Sequence, residues 1–392
     1  MKKILITTRD FHVGGVQKSL INFLKALKSD VESGELLIDL FVLNDCGELK
    51  NEIPEEVNII KANKSFLKFG CAQSEAKKMK VFIQRSFCAI WTKCFTNAIP
   101  LKHCLKKEQI LKGYDIAISY ATTISNRSMY AGWSEFIINN CDAKKKIVYI
   151  HNDFRKSALN NDYTINLLRK FDKVWFVSKN CEIDFETNIK GFKGKTDTIP
   201  NIIDVSVVQE LSNATDTILR SDCVNLISVS RLSQEKGHLR TLDVLSKLKE
   251  EGYIFKWHVL GDGPMKDKIK EKIKNLGMTD RVILYGNQSN PYSYIKNADM
   301  LMLNSFNESY GLVLIDAMLL NVPVFTTETI TAKEIVGKYG FVCYNNSDGI
   351  YSELKKVLDH PSFLEEKKNL LKNYHFNNMD TIKKIKRYIY GK

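Results

Sequence analysis

The chain has 392 residues, which exceeds one ordinary hydrophobic core and fits two domains. Its 44% hydrophobic and 26% charged residues are typical of a globular protein, and its apolar runs fall well short of the roughly 20 residues that cross a bilayer. Nine irregularly spaced cysteines without a C-x-x-C pair indicate neither a disulfide framework nor a zinc site, so we expect a reducing, cytoplasmic compartment.

The N-terminal half alternates short apolar runs with amphipathic stretches, which is typical of βαβ units around a parallel sheet. Its predicted strands are residues 3–8, 36–43, 115–120, 145–150 and 173–178, with a first helix at 16–28. The C-terminal half repeats this pattern. Its predicted strands are residues 224–230, 256–261, 281–286, 298–303, 322–327 and 341–344. The sequence therefore predicts two α/β domains.

The domain boundary is expected near residues 198–208, where a strand ends at a Pro-Asn turn and a polar stretch follows. We assign residues 1–200 to the N-terminal domain and 201–361 to the C-terminal domain. The last segment, 362–392, is polar, lysine-rich and helical in period, and we expect it to pack on one of the two domains.

A basic insert accounts for most of the net charge of +13. Residues 65–112 hold ten lysines or arginines against two acids, Glu75 and Glu108. Within them, 77–95 places aromatic and aliphatic residues among the lysines, which predicts a helix lying on an anionic membrane surface. The alternative is a surface helix whose aromatic face packs on its own domain. No nucleic-acid recognition motif accompanies the charge, so we do not expect nucleic acid as a partner.

Two cations follow the first strand of the C-terminal half. Arg231 and Lys236 lie in a polar loop that enters a helix at about His238. Ligands of open α/β sheets bind beyond the carboxyl ends of the strands, where such a pair suits a diphosphate. Taken alone the pair is weak evidence, because any surface loop can contain it.

The stretch LGDGPMKDKIK (260–270) predicts a strand, a glycine-rich turn and a helix with Pro264 in its first turn. Gly261 and Gly263 would let the backbone approach a nucleotide closely. They would equally serve an ordinary tight turn.

Two acids frame the stretch NSFNESYGLVLIDAM (304–318). Glu308 precedes a helix expected to begin near Ser309 or Tyr310, whose free N–H groups would attract a phosphate or sugar oxygen. Asp316 lies eight residues later, about 12 Å along a helix. The alternative is a helix cap and a surface acid. However, the apolar surroundings predict a buried Asp316, which ligand hydroxyls would satisfy.

Six motifs occur in the order found in retaining glycosyltransferases of the GT-B fold. They are GGVQ, IHND (150–153), IPN (199–201), SVSRLSQEKG, GDGP and NESYGLVLIDAMLLNVPV. From residue 3 to about 345 the chain resembles glycosyltransferase family four, the glycosyl transferases group 1. This resemblance implies an α/β fold with two Rossmann-like domains facing a central cleft.

The resemblance implies that the C-terminal domain binds a nucleoside diphosphate sugar. Arg231 and Lys236 match the pair that neutralises the donor diphosphate, and Glu308 matches the first acid of the family motif, near the donor sugar. Asp316 stands where the family has a second glutamate for the ribose hydroxyls; being one methylene shorter, it makes weaker or different ribose binding possible. Further binding positions are Gly261 and Gly263, the backbone of Ser309, Tyr310, Gly311 and Leu312, and Gly286 and Asn287 at the nucleobase.

In the N-terminal domain the resemblance gives roles to three residues. Gly14 and Gly15 match the glycine turn that faces both donor phosphate and acceptor, although an ordinary turn would look the same. His151 matches the histidine that contacts the donor sugar near the reaction centre; a lone histidine at a strand end is otherwise usually structural. The implied catalytic set is therefore His151, Arg231, Lys236 and Glu308.

The implied activity is sugar transfer to an acceptor hydroxyl with retention of configuration, without a metal or other cofactor. We see no Asp-x-Asp motif placed to hold a metal. The expected setting is the assembly of capsule, exopolysaccharide or lipid-linked oligosaccharide, with the protein peripheral on the inner face of the cytoplasmic membrane. Two alternatives are a catalytically silent GT-B partner subunit and an enzyme that epimerises or hydrolyses the nucleotide sugar.

Overall fold

Parallel β-sheets form the centre of two units in the computed structural model, which describes residues 1–66, 69, 79–154, 156–214, 219 and 223–391. Internal contacts divide the chain into these units. The first unit comprises Met1–Ile202 together with Asn378–Lys392, and the second comprises Ile203–Asn377.

The first unit contains a seven-stranded sheet in the order β3-β2-β1-β4-β5-β6-β7, with all neighbours parallel. The strands are β1 (Lys2–Thr8), β2 (Leu36–Val42), β3 (Asn58–Lys61), β4 (Leu111–Ser119), β5 (Cys141–Ile150), β6 (Lys173–Phe176) and β7 (Thr196–Thr198). All five predicted strands are confirmed. The prediction missed β3 and β7, because these short edge strands lack a buried apolar run.

Helices cover this sheet. They are α1 (Gly15–Ala26), α2 (Lys28–Glu32), α3 (Met79–Cys94), α4 (Ala98–Lys106), α5 (Trp133–Asn140), α6 (Asp162–Leu168), α7 (Lys179–Asn188) and α16 (Met379–Tyr390). The last of these brings the C-terminus back to the first unit. Lys386 and Tyr390 both bond the carboxylate of Asp30, and Tyr388 donates to Asp197 at 2.6 Å.

The second unit contains a six-stranded parallel sheet in the order β10-β9-β8-β11-β12-β13. The strands are β8 (Val224–Val229), β9 (Phe255–Leu260), β10 (Val282–Gly286), β11 (Met300–Leu303), β12 (Val324–Thr327) and β13 (Gly340–Cys343). The helices are α8 (Val205–Ser212), α9 (His238–Glu250), α10 (Lys266–Asn275), α11 (Tyr292–Lys296), α12 (Leu312–Leu319), α13 (Ala332–Val336), α14 (Ser347–Asp359) and α15 (Ser362–Leu371). All six predicted strands are confirmed.

Each sheet has a point at which the strand order reverses. In the second unit β8 pairs with β9 on one side and β11 on the other, so the loops after β8 and β11 lie side by side. In the first unit β1 holds the same place between β2 and β4. Such reversal points form the ligand-binding crevice of open α/β sheets.

The helix α3 in the basic insert turns an apolar face outward. Phe87 and Ile90 have 66% and 64% of their surface exposed, whereas Arg85 and Thr92 on the opposite face are buried. Residues 67, 68 and 70–78 of the insert lie outside the described residues. In the described part of the chain, no helix is both long enough and apolar enough to span a bilayer.

A glycine brings the two loops of the second unit together. Gly237 has a left-handed φ of +71°, and a Cβ there would lie 2.1 Å from the carbonyl oxygen of Asn304. A side chain at this position would therefore meet both backbone strain and a backbone clash.

Gly237→Ala should destabilise the protein more than Gly252→Ala. Gly252 also has positive φ, +93°, but a Cβ there meets no atom within 4 Å, so only the left-handed strain of about 1–2 kcal/mol applies. At Gly237 overpacking adds a further ~1–3 kcal/mol. Urea unfolding of the two variants measures the difference, and equal losses would show that the loops do not press on Gly237.

Candidate functional site

An ion pair joins the two loops at the reversal point of the second unit. Lys236 Nζ lies 2.7 Å from Glu308 Oε2, and the two side chains are 21% and 17% exposed. Lys236 ends a short 3-10 turn after β8, and Glu308 lies in the loop between β11 and α12. The structure thus brings together two residues that are 72 positions apart in the chain.

The helix after Glu308 begins later than predicted. α12 starts at Leu312, not near Ser309 or Tyr310, because Gly311 adopts a left-handed conformation with φ of +72°. The first helical N–H groups therefore belong to Leu312 and the residues after it. Ser309, Tyr310 and Gly311 form the turn that joins Glu308 to this helix.

Asp316 lies in α12 and is buried, as predicted, with 5% of its surface exposed. The estimate of 12 Å from Glu308 assumed a continuous helix and was wrong in that respect. Only the four steps from Leu312 to Asp316 are helical, a rise of about 6 Å.

Gly261 and Gly263 support the loop that carries Arg231. A Cβ on Gly261 would lie 2.0 Å from the carbonyl oxygen of Ser230, and one on Gly263 would lie 2.5 Å from that of Leu232. This close approach is a structural reason for glycine at both positions. Arg231 itself is exposed at the surface of the second unit.

Two other predicted positions end the neighbouring strand β10. Gly286 has a left-handed φ of +70° with open space where a Cβ would lie, and Asn287 is exposed. Beside them, Tyr285 packs edge-on against Tyr294 and its hydroxyl lies 3.0 Å from His258 Nδ1. Pro264 precedes α10, which starts at Lys266, so the prediction that it lies in the first turn was wrong.

The predicted residues of the first unit lie at its own strand ends. Gly14 is the extended N-cap of α1, and Gly15 is its first residue. Beside this turn, the buried carboxylate of Asp10 accepts a hydrogen bond from Gln17 at 3.2 Å.

His151 follows β5 and lies against two tyrosine rings, with centroid distances of 4.1 Å to Tyr149 and 4.8 Å to Tyr120. Its Nε2 is buried and has no hydrogen-bond partner among the described residues. Burial lowers the pKa of His151 to about 3, so the imidazole is neutral at physiological pH.

A hydrogen-bond network that the sequence did not predict holds these rings. Ser19 on α1 contacts the Tyr120 hydroxyl at 2.9 Å and donates to Asn201 at 2.6 Å, and the Tyr149 hydroxyl donates to the Ile199 carbonyl. The IPN motif therefore anchors the surroundings of His151. The sequence signal that could have indicated this network is Ser19 and Asn22, two polar residues three positions apart on the buried face of α1.

Comparison with known proteins identifies the second unit. Residues 218–375 match the family model described as glycosyl transferases group 1. Over these residues the second unit is similar to the glycosyl transferases group 1. The two parallel sheets with their helices and the full-length similarity to a solved sucrose-phosphate synthase of Thermosynechococcus elongatus, with a TM-score of 0.69 and 15% identity, confirm the predicted α/β fold.

Proteins similar to this chain include an uncharacterized glycosyltransferase of Methanocaldococcus jannaschii, 30% identical over 37% of each chain. The N-acetylgalactosamine-N,N'-diacetylbacillosaminyl-diphospho-undecaprenol 4-alpha-N-acetylgalactosaminyltransferase of Campylobacter jejuni is 26% identical over 62% of this chain and 66% of its own. Both alignments span less than two thirds of the relative. The crystal structure of Anabaena HepE in complex with UDP and glucose is similar in fold, with a TM-score of 0.68, 17% identity and full coverage of both chains.

The lowered pKa of His151 should make stability depend on pH. In the unfolded chain a histidine takes up a proton below about pH 6.5, whereas the folded His151 does not until about pH 3. Stability is therefore lost as pH falls through this window, by about 1.4 kcal/mol per pH unit for one proton. His151→Gln should flatten the slope measured by urea unfolding between pH 6.5 and 4.5. Identical slopes in both proteins would contradict the buried neutral state.

Proposed function

We propose that this protein transfers a sugar from a nucleoside diphosphate sugar to an acceptor hydroxyl, with retention of the anomeric configuration. The observation that carries the proposal is the Lys236–Glu308 pair, placed where the strand order reverses in a group 1 unit. A cation and a carboxylate side by side suit a ligand that has a phosphate next to sugar hydroxyls.

Lys236 and Arg231 would face the diphosphate. As the bond between the anomeric carbon and the diphosphate oxygen breaks, the electron pair leaves with the diphosphate, and the two cations offset the growing negative charge. The acceptor oxygen then forms the new bond to the anomeric carbon, and its proton passes to a donor phosphate oxygen. This role for the cations needs no metal ion.

Glu308 would accept hydrogen bonds from the sugar once Lys236 turns to the phosphate. The backbone of the 309–312 turn and the open side of Gly286 extend the binding surface in two directions. We place the ribose at Asp316 and the base beside Asn287. The UDP and glucose named in the HepE complex support this class of donor.

His151 would contact the donor sugar as a neutral hydrogen-bonding group. Because burial keeps its pKa at about 3, it is suited to bonding a hydroxyl rather than to donating a proton as an acid. The acceptor would bind to the first unit, which holds His151 and the Gly14–Gly15 turn.

Lys236→Ala should lower the transfer rate by at least about 100-fold, because it removes a cation that stabilises the departing diphosphate. Lys249→Ala is the matched control, since Lys249 lies in the same unit and pairs with Asp280 at 2.9 Å. Transfer is measured with nucleotide sugars chosen by a thermal-shift panel, in which tight ligands raise the melting temperature.

Undiminished turnover in Lys236→Ala would contradict the proposal. Reactions without acceptor separate the alternatives: free sugar or an epimerised donor as the main product would indicate a hydrolase or epimerase. A wild-type chain that neither transfers nor hydrolyses any donor would indicate a silent partner subunit.

We further propose that α3 and α4 dock the protein on the anionic inner face of the cytoplasmic membrane. The rings of Phe87 and Trp91 on α3 and of Phe95 just after its end follow one another, with centroid distances of 6.4 and 4.8 Å. Phe87 and Phe95 are 66% and 59% exposed, and Lys93 on α3 and Lys102 on α4 are also exposed. Apolar side chains beside lysines suit the interface of an anionic bilayer.

This location fits an acceptor carried on a lipid, in the assembly of a capsule, exopolysaccharide or lipid-linked oligosaccharide. The diphospho-undecaprenol in the name of the Campylobacter relative supports that acceptor class. A lipid-linked acceptor lies at the membrane surface, so a docked enzyme meets it without extracting it from the bilayer.

The double variant Phe87→Ser, Ile90→Ser should lose most of its binding to vesicles of anionic lipid, because it removes two side chains that are more than half exposed. Ile254→Ser is the control, since Ile254 is 61% exposed on the second unit. Co-sedimentation with vesicles measures binding. Equal sedimentation of both variants, or no binding by the wild-type protein at low salt, would contradict the proposed surface.

A further inference from the structure

The loop that leads to Glu308 is irregular but tightly held. From Leu303, the last residue of β11, to Phe306, side chains from other elements hydrogen-bond four consecutive carbonyl groups. The donors to the carbonyls of residues 303, 304, 305 and 306 are Thr326 at 2.8 Å, Arg240 at 2.7 Å, Thr327 at 2.6 Å and Asn345 at 3.0 Å, respectively. Buried backbone groups need such partners, and here each partner also fixes the course of the loop.

Arg240 is central to this arrangement. It is 8% exposed, and its Nη2 donates both to the Asn304 carbonyl and to Asn345 Oδ1, each at 2.7 Å. Its guanidinium also lies 3.8 Å from the centre of the Phe306 ring. One side chain thus holds the loop by a carbonyl and by a ring.

Asn345 completes the arrangement from the loop after β13. Its Oδ1 accepts from Arg240, while its Nδ2 donates to the carbonyls of Phe306 at 3.0 Å and Glu328 at 3.3 Å. We call Arg240 and Asn345 the loop clamp. The clamp ties together the loops that follow β11, β12 and β13.

The loop clamp also fixes the Glu308 loop against the Lys236 loop. Arg240 lies in the first turn of α9, the helix that begins directly after Gly237. In addition, the Phe306 N–H donates to the Glu235 carbonyl at 2.8 Å. The positions of Lys236 and Glu308 relative to each other therefore depend on contacts made by Arg240.

We propose that Arg240 and Asn345 are positioning residues that set the geometry of the Lys236–Glu308 pair, an inference that rests on the proposed transferase function for its catalytic consequence. Neither residue needs to touch the donor. Their effect on turnover follows because displacing a catalytic group by about 1 Å can cost on the order of 100-fold in rate.

Arginine has a specific advantage at this position. Its planar fork presents several donors in a fixed arrangement, so one side chain reaches the Asn304 carbonyl and both oxygens of Asn345. A lysine at position 240 keeps the charge but offers a single ammonium on a flexible stem. Arg240→Lys therefore tests geometry rather than charge.

The first experiment compares turnover in Arg240→Lys and Asn345→Ala with the control Arg281→Lys. Arg281 also bonds a backbone carbonyl in this unit, that of Phe255, but at the amino end of the strands. We expect kcat per folded molecule to fall by at least about 10-fold in both clamp variants, with a smaller change in the donor KM, and to be unchanged in the control. A lower melting temperature with unchanged kcat would show a merely structural role and overturn the inference.

The second experiment needs no substrate. Hydrogen exchange is followed by mass spectrometry on peptides covering residues 302–311 of the full chain. Arg240→Lys should speed exchange in this segment by at least about 10-fold while α14 exchanges as in the wild type. Unchanged exchange at 302–311 would overturn the inference even if transfer is observed. Faster exchange in a protein that transfers no sugar would support the clamp and reject the proposed function.

Discussion

The ion pair between Lys236 and Glu308 joins the loops after β8 and β11, and the site of the second unit depends on it. Its two members come from the loops after β8 and β11, which are parallel neighbours in the sheet and so end at the same edge. From there the chain crosses to β9 on one side of this pair and to β12 on the other. Each side chain is about one-fifth exposed, so the pair is partly shielded from water and stays open to a ligand. Its geometry therefore depends on how closely the two loops approach.

Backbone chemistry permits that approach. Gly237 and Gly261 both have positive φ, and a Cβ on either would lie about 2 Å from a carbonyl oxygen of a neighbouring loop. The loops consequently pack through their backbones, with carbonyls satisfied by threonine, arginine and asparagine side chains. A region without helix or strand can in this way be as well defined as the sheet beneath it.

The sequence was sufficient to predict the strands that have continuous apolar runs and the positions of the loops that follow these strands. It was insufficient where a segment departs from the usual hydrophobic pattern of its element, or where a side chain bonds a residue far away in the chain. The edge strand β7, TDT, carries no apolar signal, and the left-handed Gly311 delays α12 in a way that periodicity does not show. Arg240 shares the buried stripe of α9 with Val244, where periodicity predicts an apolar residue, and its partner Asn345 is 105 positions away.

Two departures from the usual pattern have different physical explanations. Arg240 is a charge in a buried stripe, and the carbonyls it bonds explain its position within the fold. Phe87 and Ile90 are apolar side chains in an exposed stripe, and no contact among the described residues covers them. Folding accounts for the first departure, since an unpaired carbonyl would cost free energy. It does not account for the second, because exposed apolar surface contributes nothing to the stability of an isolated chain. The membrane docking proposed above would give that face of α3 a partner that is both apolar and anionic, in keeping with the lysines beside it.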